Sequence, residues 1–372
     1  MVDYRAKSIL VTGGTGFIGG RLAERLAFEA QADVRLLVRD WRHAVWASRL
    51  PARFLEGDIT DPDALAKAMD GCEVVFHCVG VGGDPETCRR INRDGTLRVL
   101  EAARAAGVRR LVYLSSVAVH GPKPPENADE KTPLVRTGNA YADSKIDAEE
   151  VIAAFTAAHP QSVVILRPTF VWGPRSSYFT IGPVQQIVAG TWRLVDQGLG
   201  TCHAVYVDNL VDAMLLAGVA SGVDGAAFLI TDDQPCSWAE FFLAYARMVG
   251  KTALPSVSAT GLKDRAARRL EHSLGQLQDF LEQHLPRFEP ARFSFRATRF
   301  LLRRVRRVLF GGSVQFSDWD LLKYSRRGGL NTSKAKEQLG YIPRISRTEG
   351  MRLTESWLRA QRIIPCEPSK PC

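Results

Sequence analysis

Tyr141-Ala142-Asp143-Ser144-Lys145 places a phenol and an amine four residues apart at the start of an expected helix, so both lie on one face. A free tyrosine titrates near pH ~10, too high for easy acid/base work at neutrality. A neighbouring ammonium favours the phenolate and would bring the group within reach. Such pairs also recur on helices by chance, so the surroundings matter. Leu114-Ser115-Ser116 ends an expected strand. A serine hydroxyl there can orient and polarise a carbonyl, and either serine serves equally well as a turn former. Tyrosine, lysine and serine together suit the movement of a proton on or off an alcohol or carbonyl oxygen.

A second constellation lies at the start of the chain. The strand Ser8–Val11 runs into Thr12-Gly13-Gly14-Thr15-Gly16-Phe17-Ile18-Gly19, and a helix follows. Gly13 permits a tight turn, Gly16 lets backbone approach a pyrophosphate, and Gly19 lets helix and strand pack closely. The helix N-terminus then offers free N–H groups and a partial positive charge to phosphates. A glycine triplet between strand and helix at the head of a βαβ unit is a specific dinucleotide signal. Gly13, Thr15, Gly16, Phe17, Ile18 and Gly19 are therefore assigned to a nicotinamide dinucleotide, whose positive oxidised ring would further favour a Tyr141 phenolate.

The next strand ends Val38-Arg39-Asp40. An acidic residue there grips the ribose 2′-hydroxyl of NAD, whereas an arginine suits the 2′-phosphate of NADP. Arg39, with Arg42 as a helper, favours NADP over NAD, while Asp40 keeps NAD open. Gly57-Asp58-Ile59 follows a third strand, where Asp58 and Ile59 would meet the adenine. Asp58 serves equally as a helix cap ahead of Pro62.

These residues need a frame. Strands are expected at Ser8–Val11, Val34–Val38, Val74–Cys78, Leu111–Ser115 and Val163–Arg167. Helices are expected at Phe17–Glu29, Pro62–Met69, Glu86–Ala106 and Tyr141–Ala158. Alternating strands and helices predict an α/β fold, a doubly wound parallel Rossmann sheet over residues 1–170. A smaller C-terminal substrate-binding lobe, partly interleaved with the sheet, is expected from 171–260 and 313–372, with helices at Val205–Ala217, Trp238–Val249 and Ser333–Leu339. Pro122–Gly138 reads as a mobile loop at the site rim.

The chain has 372 residues, 45% hydrophobic and 24% charged, an ordinary globular composition with a formal charge of +9. Nearly all of that charge sits in Gly261–Gly312, which carries twelve basic residues against five acidic ones. Within Arg296–Phe310 the arginines Arg296, Arg299, Arg303, Arg306 and Arg307 cluster on one side of a helical projection. Phe300, Leu301, Val305, Val308 and Leu309 lie largely on the other. This insert reads either as a basic amphipathic helix on an anionic membrane surface or as a helix packed on its own domain. No reader motif or aromatic platform accompanies the charge, so nucleic acid is not expected. Seven cysteines, none in a C-x-x-C pair, read as structural thiols in a reducing compartment, and no metal site is expected. With no signal peptide and no apolar run long enough to span a bilayer, a cytoplasmic location is expected, peripheral on the membrane if the insert binds it.

The stretches TGGTGFIG, GDITD, VVFHCVG, INRDGTLRVLEAA, VYLSSVAVHG, YADSK, RPTFVWGPR, VYVDNLVDAMLLA and NTSKAKEQLGYIP together resemble an extended short-chain dehydrogenase/reductase of the NAD-dependent epimerase/dehydratase superfamily. Only Gly261–Gly312 falls outside the likeness. The resemblance implies Tyr141 as proton donor or acceptor and Lys145 as holder of the nicotinamide ribose. It selects Ser116 over Ser115 and sets Cys78, Val79, Asn92 and Pro168 along the cofactor cleft. Sugar-nucleotide members typically carry an asparagine where this chain has Phe170 and an arginine where it has Cys202. Neither residue can grip a diphosphate, though Arg175 and Arg193 could partly substitute. His203–Leu210 resembles the 3β-hydroxysteroid dehydrogenase branch, and Val34–Arg39 the dihydroflavonol-reductase branch.

The expected function is thus NAD(P)-dependent interconversion of a secondary alcohol and ketone on a bulky apolar sterol-like, isoprenoid or polycyclic substrate, with Phe170 and Cys202 lining the pocket. Two alternatives stand beside it: a nucleotide-sugar epimerase/dehydratase, and a non-catalytic dinucleotide-binding sensor or scaffold. Helices near Glu86–Ala106 and Tyr141–Ala158 pair in related enzymes, which leaves a homodimer open.

Overall fold

The computed structural model describes residues 3–259 and 316–365. The insert 261–312, including Arg296–Phe310, lies outside the described residues. Two compact units emerge. The first comprises 3–182, Thr201–Cys236 and 326–365; the second comprises Pro183–Gly200, 237–259 and 316–325.

The first unit is built on strands β1 (Ser8–Thr12), β2 (Asp33–Val38), β3 (Ala52–Glu56), β4 (Val74–His77), β5 (Arg110–Leu114) and β6 (Val163–Pro168). Between them run helices α1 (Phe17–Phe28), α2 (Pro62–Met69), α3 (Pro85–Cys88), α4 (Gly95–Ala105) and α5 (Ala140–Ala158). Every pairing in the sheet is parallel. β1, β4 and β6 are buried almost throughout, as strands covered on both faces must be. Helix starts are fixed locally. Asp61 caps α2 ahead of Pro62, and the Asn139 side chain accepts from Ala142 N at 3.0 Å to start α5.

The chain then forms β7 (Phe170–Trp172), crosses the second unit through α6 (Gly182–Val188) and β8 (Leu194–Val195), and returns with β9 (Thr201–Cys202), β10 (Ala204–Tyr206), α7 (Val207–Val219) and β11 (Ala227–Ile230). β11 completes a seven-stranded sheet in the order β11-β6-β5-β4-β1-β2-β3. After β12 (Cys236–Ser237), the second unit adds α8 (Trp238–Met248), β13 (Ser256–Val257) and α9 (Asp318–Ser325). Helices α10 (Ser333–Leu339) and α11 (Arg347–Ala360) rejoin the first unit.

Four expectations change. The division at residue 170 gives way to a discontinuous one, because β11 pairs with β6 and α11 buries Met351, Thr354 and Leu358 in the first unit. The helix expected over Glu86–Ala106 is α3, a π-helical turn at Arg89–Asp94, and α4. The helix expected over Val205–Ala217 starts two residues later, since β-branched Val205 pairs in β10 with β7. Pro122–Gly138, read as mobile, is tied down. Asn127 N donates to Gly329 O at 3.1 Å, Glu130 O accepts from Arg167 Nη1 at 3.0 Å, and Glu130 Oε1 accepts from Leu229 N at 2.7 Å.

Candidate active site

The glycine turn forms as its spacing requires. Gly13 has φ +71°, and a Cβ there would meet Cys78 and Val79 backbone at 3.0 Å. A Cβ on Gly19 would lie 2.5 Å from Gly13 O. Helix α1 starts with no side-chain cap and no acid in its first turn, so its N-terminal N–H groups face outward without a protein acceptor supplied by a cap. A turn with no room for side chains, opening on uncapped donors, fits a dinucleotide pyrophosphate.

At the end of β2, Asp40 is engaged by its neighbours. It caps the following 3₁₀ turn and receives Arg42 Nη2 at 2.6 Å and Nε at 3.0 Å, which holds its carboxyl down at about 2. Arg39 is exposed and lies 3.6 Å from the Asp58 carboxylate. Asp58 is not the helix cap, a role Asp61 takes; it accepts from Thr60 N and Oγ1 at 2.9 and 2.8 Å. Ile59 is buried and packs against Gly95.

Tyr141 and Lys145 stand one turn apart on α5. The Tyr141 hydroxyl lies beside Ser116, whose Oγ accepts from Ala118 N at 3.1 Å. Ser115 faces elsewhere, donating to Glu149 Oε1 at 2.5 Å. Burial raises the Tyr141 phenol above its usual range, and the neighbouring Ser116 hydroxyl pulls it back in part. No help from the ammonium reaches Tyr141 in this geometry: Lys145 Nζ directs two of its three donors to Leu114 O at 2.9 Å and the Tyr113 hydroxyl at 3.3 Å. Burial brings Lys145 down to about 8, with the Glu149 and Cys78 charges opposing. Gly80 crosses close to it, leaving 3.2 Å between a built Cβ and Nζ.

Behind Lys145 lies a polar chain that residue spacing did not reveal. The Tyr113 hydroxyl lies beside Thr96. Thr96 Oγ1 donates to Asn92 O at 2.5 Å and lies 3.1 Å from His77 Nε2. His77 Nδ1 lies 2.7 Å from Thr12 Oγ1. With Thr96 donating to Asn92, its oxygen accepts from Nε2–H, and Thr12 then donates to Nδ1. Burial, then the Lys145 charge, drives His77 to about 3, so the ring is neutral. The Asn92 side chain accepts from Val81 N at 2.9 Å and donates to Val81 O and Ser144 Oγ, both at 2.8 Å. It thereby fixes the segment after β4 to α5. Cys78 and Val79 start that segment, and Pro168 ends β6 beside β5.

The two pocket candidates separate. Phe170 is half-buried, its ring 5.2 Å from that of Phe179. Cys202 is fully buried against the Cys236 thiol, so its expected place on the pocket wall is corrected. Arg175 stacks on Trp46, and Arg193 donates to Gly190 O and Trp192 O in the second unit. Among the described residues no cluster of His, Cys, Asp or Glu has a metal-holding arrangement, and no helix is long and apolar enough to cross a membrane.

Residues 9–230 match the model of the NAD dependent epimerase/dehydratase family. A 4-hydroxy-2-methyl-3-oxo-4-farnesyl-3,4-dihydroquinoline-1-oxide ketoreductase of Stigmatella aurantiaca is 29% identical, covering 92% of this chain and 93% of that protein. A decarboxylating sterol-4-alpha-carboxylate 3-dehydrogenase of Saccharomyces cerevisiae is 27% identical over 94% and 97%. Among solved structures, a UDP-glucose 4-epimerase of Thermotoga maritima superposes with a TM-score of 0.70 at 22% identity, covering 95% of this chain and 99% of that one. That level of identity speaks to the fold. With the matched model spanning the glycine turn, Ser116, Tyr141 and Lys145, the chain belongs to the NAD dependent epimerase/dehydratase family.

Proposed function

We propose that the protein is an NADP-favouring oxidoreductase that interconverts a secondary alcohol and a ketone on a bulky apolar molecule. The observation that carries this reading is the buried Tyr141 phenol set beside Ser116, one helical turn from the buried Lys145 ammonium. When bound, the nicotinamide supplies or takes up the hydride at the reacting carbon. Tyr141 gives its phenolic proton to the oxygen in the reducing direction and recovers it in the oxidising one. Ser116 steadies that oxygen, and Lys145 holds the nicotinamide ribose.

The preference for NADP is supported by Arg42 neutralising Asp40 while Arg39 stays exposed at the end of β2. The apolar substrate is supported by the Phe170–Phe179 pair and by the names of the two full-length relatives, one acting on a farnesyl-bearing ketone and one on a sterol. A diphosphate sugar would find no partner for its charge in Phe170, and Cys202 is buried against Cys236. A role for the basic insert at anionic membranes rests on its charge pattern alone. Flotation with anionic vesicles, unchanged after deletion of 296–310, would remove it.

The test is turnover with NADPH and NADH on a panel of sterol and isoprenoid ketones, beside a UDP-sugar epimerisation assay. Reduction lost by about 10²–10⁴-fold in Tyr141→Phe, with dinucleotide binding kept, is expected. Epimerisation without ketone reduction overturns the proposal, and a function indifferent to Tyr141→Phe would favour a sensor.

A further inference from the structure

Trp46 and Arg175 form a structure beside the glycine turn that the reaction described above does not use. Trp46 Nε1 donates to Thr15 O, inside the turn, at 3.1 Å. Its ring lies so close to α1 that a Cβ on Gly20 would meet it at 2.5 Å. The Arg175 guanidinium stacks on that ring, 3.5 Å from its centroid. Arg175 occupies the third corner of a tight turn in which Ser176 N donates to Gly173 O at 3.1 Å, and its φ is +72°. Glycine is the ordinary residue there, and a long side chain costs roughly 1 kcal/mol or more. The strain and the missing Cβ at Gly20 both serve one placement, a guanidinium held flat beside the phosphate-binding turn.

That guanidinium is half-buried, and among the described residues no carboxylate forms an ion pair with it. Burial lowers its proton affinity, Glu24 opposes from a distance, and the like charge of Arg49 adds to the loss. A desolvated arginine lacking a bonded acid is an incomplete pair, and its planar donors match a phosphate. We propose that Arg175, braced on Trp46, is a phosphate ligand of the dinucleotide that closes over the glycine turn. The proposal builds on the dinucleotide-binding reading. It moves Arg175 from a stand-in for substrate recognition to the cofactor side.

Calorimetric titration of the full chain with NADP⁺ and NAD⁺, in the wild type, Arg175→Gln and Arg175→Gly, tests it. Arg175→Gly relieves the backbone strain while removing the charge, so it guards against misfolding. Both variants are expected to keep the wild-type melting temperature to within a few degrees and to lose about tenfold or more in affinity, as for a charge-assisted bond. Loss for NADP⁺ alone assigns the 2′-phosphate; loss for both dinucleotides assigns the pyrophosphate. Wild-type affinity should also fall more steeply with salt than that of Arg175→Gln. Affinities within twofold of wild type for both dinucleotides overturn the proposal, whether or not the variants melt lower. A wild-type protein that binds neither dinucleotide overturns the underlying reading first, and this proposal with it.

Discussion

Ser115 and Ser116 are neighbours of identical chemistry, and their partners divide them. Ser116→Ala is expected to lower kcat about 10²-fold while leaving dinucleotide affinity intact. Ser115→Ala removes a donor from the buried Glu149 carboxylate and should cost about 1–3 kcal/mol in urea denaturation, with kcat little changed. The reverse pattern would exchange their roles. The residues alone left the two serines equivalent, because the deciding contact is with Glu149, far along the chain. Lys145 carries a pH prediction. Its ammonium is brought down to about 8 from 10.5, so its charge is lost progressively as pH rises through about 8. Dinucleotide affinity should therefore decline as pH rises through about 8, and Lys145→Met should flatten that decline. The unfolded chain keeps this proton up to 10.5, so the Lys145 contribution to stability grows with pH between those values.

At the scale of elements, the glycine turn was legible because each glycine answers a separate steric demand. Gly19→Ala should weaken dinucleotide binding at least 100-fold by calorimetry, since the added methyl meets Gly13 O, a backbone atom that cannot step aside. Wild-type affinity in that variant would show the close approach to be dispensable. The placement of Asn92 was not legible. Apolar spacing from Glu86 to Ala106 describes one helix, whereas the π-helical turn at Arg89–Asp94 depends on hydrogen bonds that leave no periodic trace. The same limit hid the path from Lys145 to Thr12. Tyr113, Thr96 and His77 each read as ordinary members of apolar segments, and only the sheet brings them together.

For the molecule as a whole, the parallel sheet followed from alternation of strand and helix, but its membership did not. β11 and the helices α10 and α11 belong to the first unit although they follow segments of the second. Short strands and single hydrogen bonds, such as Tyr341 hydroxyl to Thr231 O at 2.9 Å, decide that. The first unit also buries three histidines, His77, His120 and His203, whose folded pKa values lie below the ordinary 6.5. On acidification the unfolded chain takes up these protons first, so stability is full above about pH 6.5 and falls below it. The urea midpoint should drop between pH 7.5 and 5, less steeply in His77→Gln; a flat profile would show that these rings are not held neutral. The return of α11 also bears on how the protein is made. Gly350 packs where a side chain would strike Trp172 and Tyr206. A nascent chain therefore leaves the ribosome with those two rings uncovered until α11 is translated. Synthesis halted after residue 325 should yield a sticky, chaperone-retained product, even though every strand of the main sheet has by then been made.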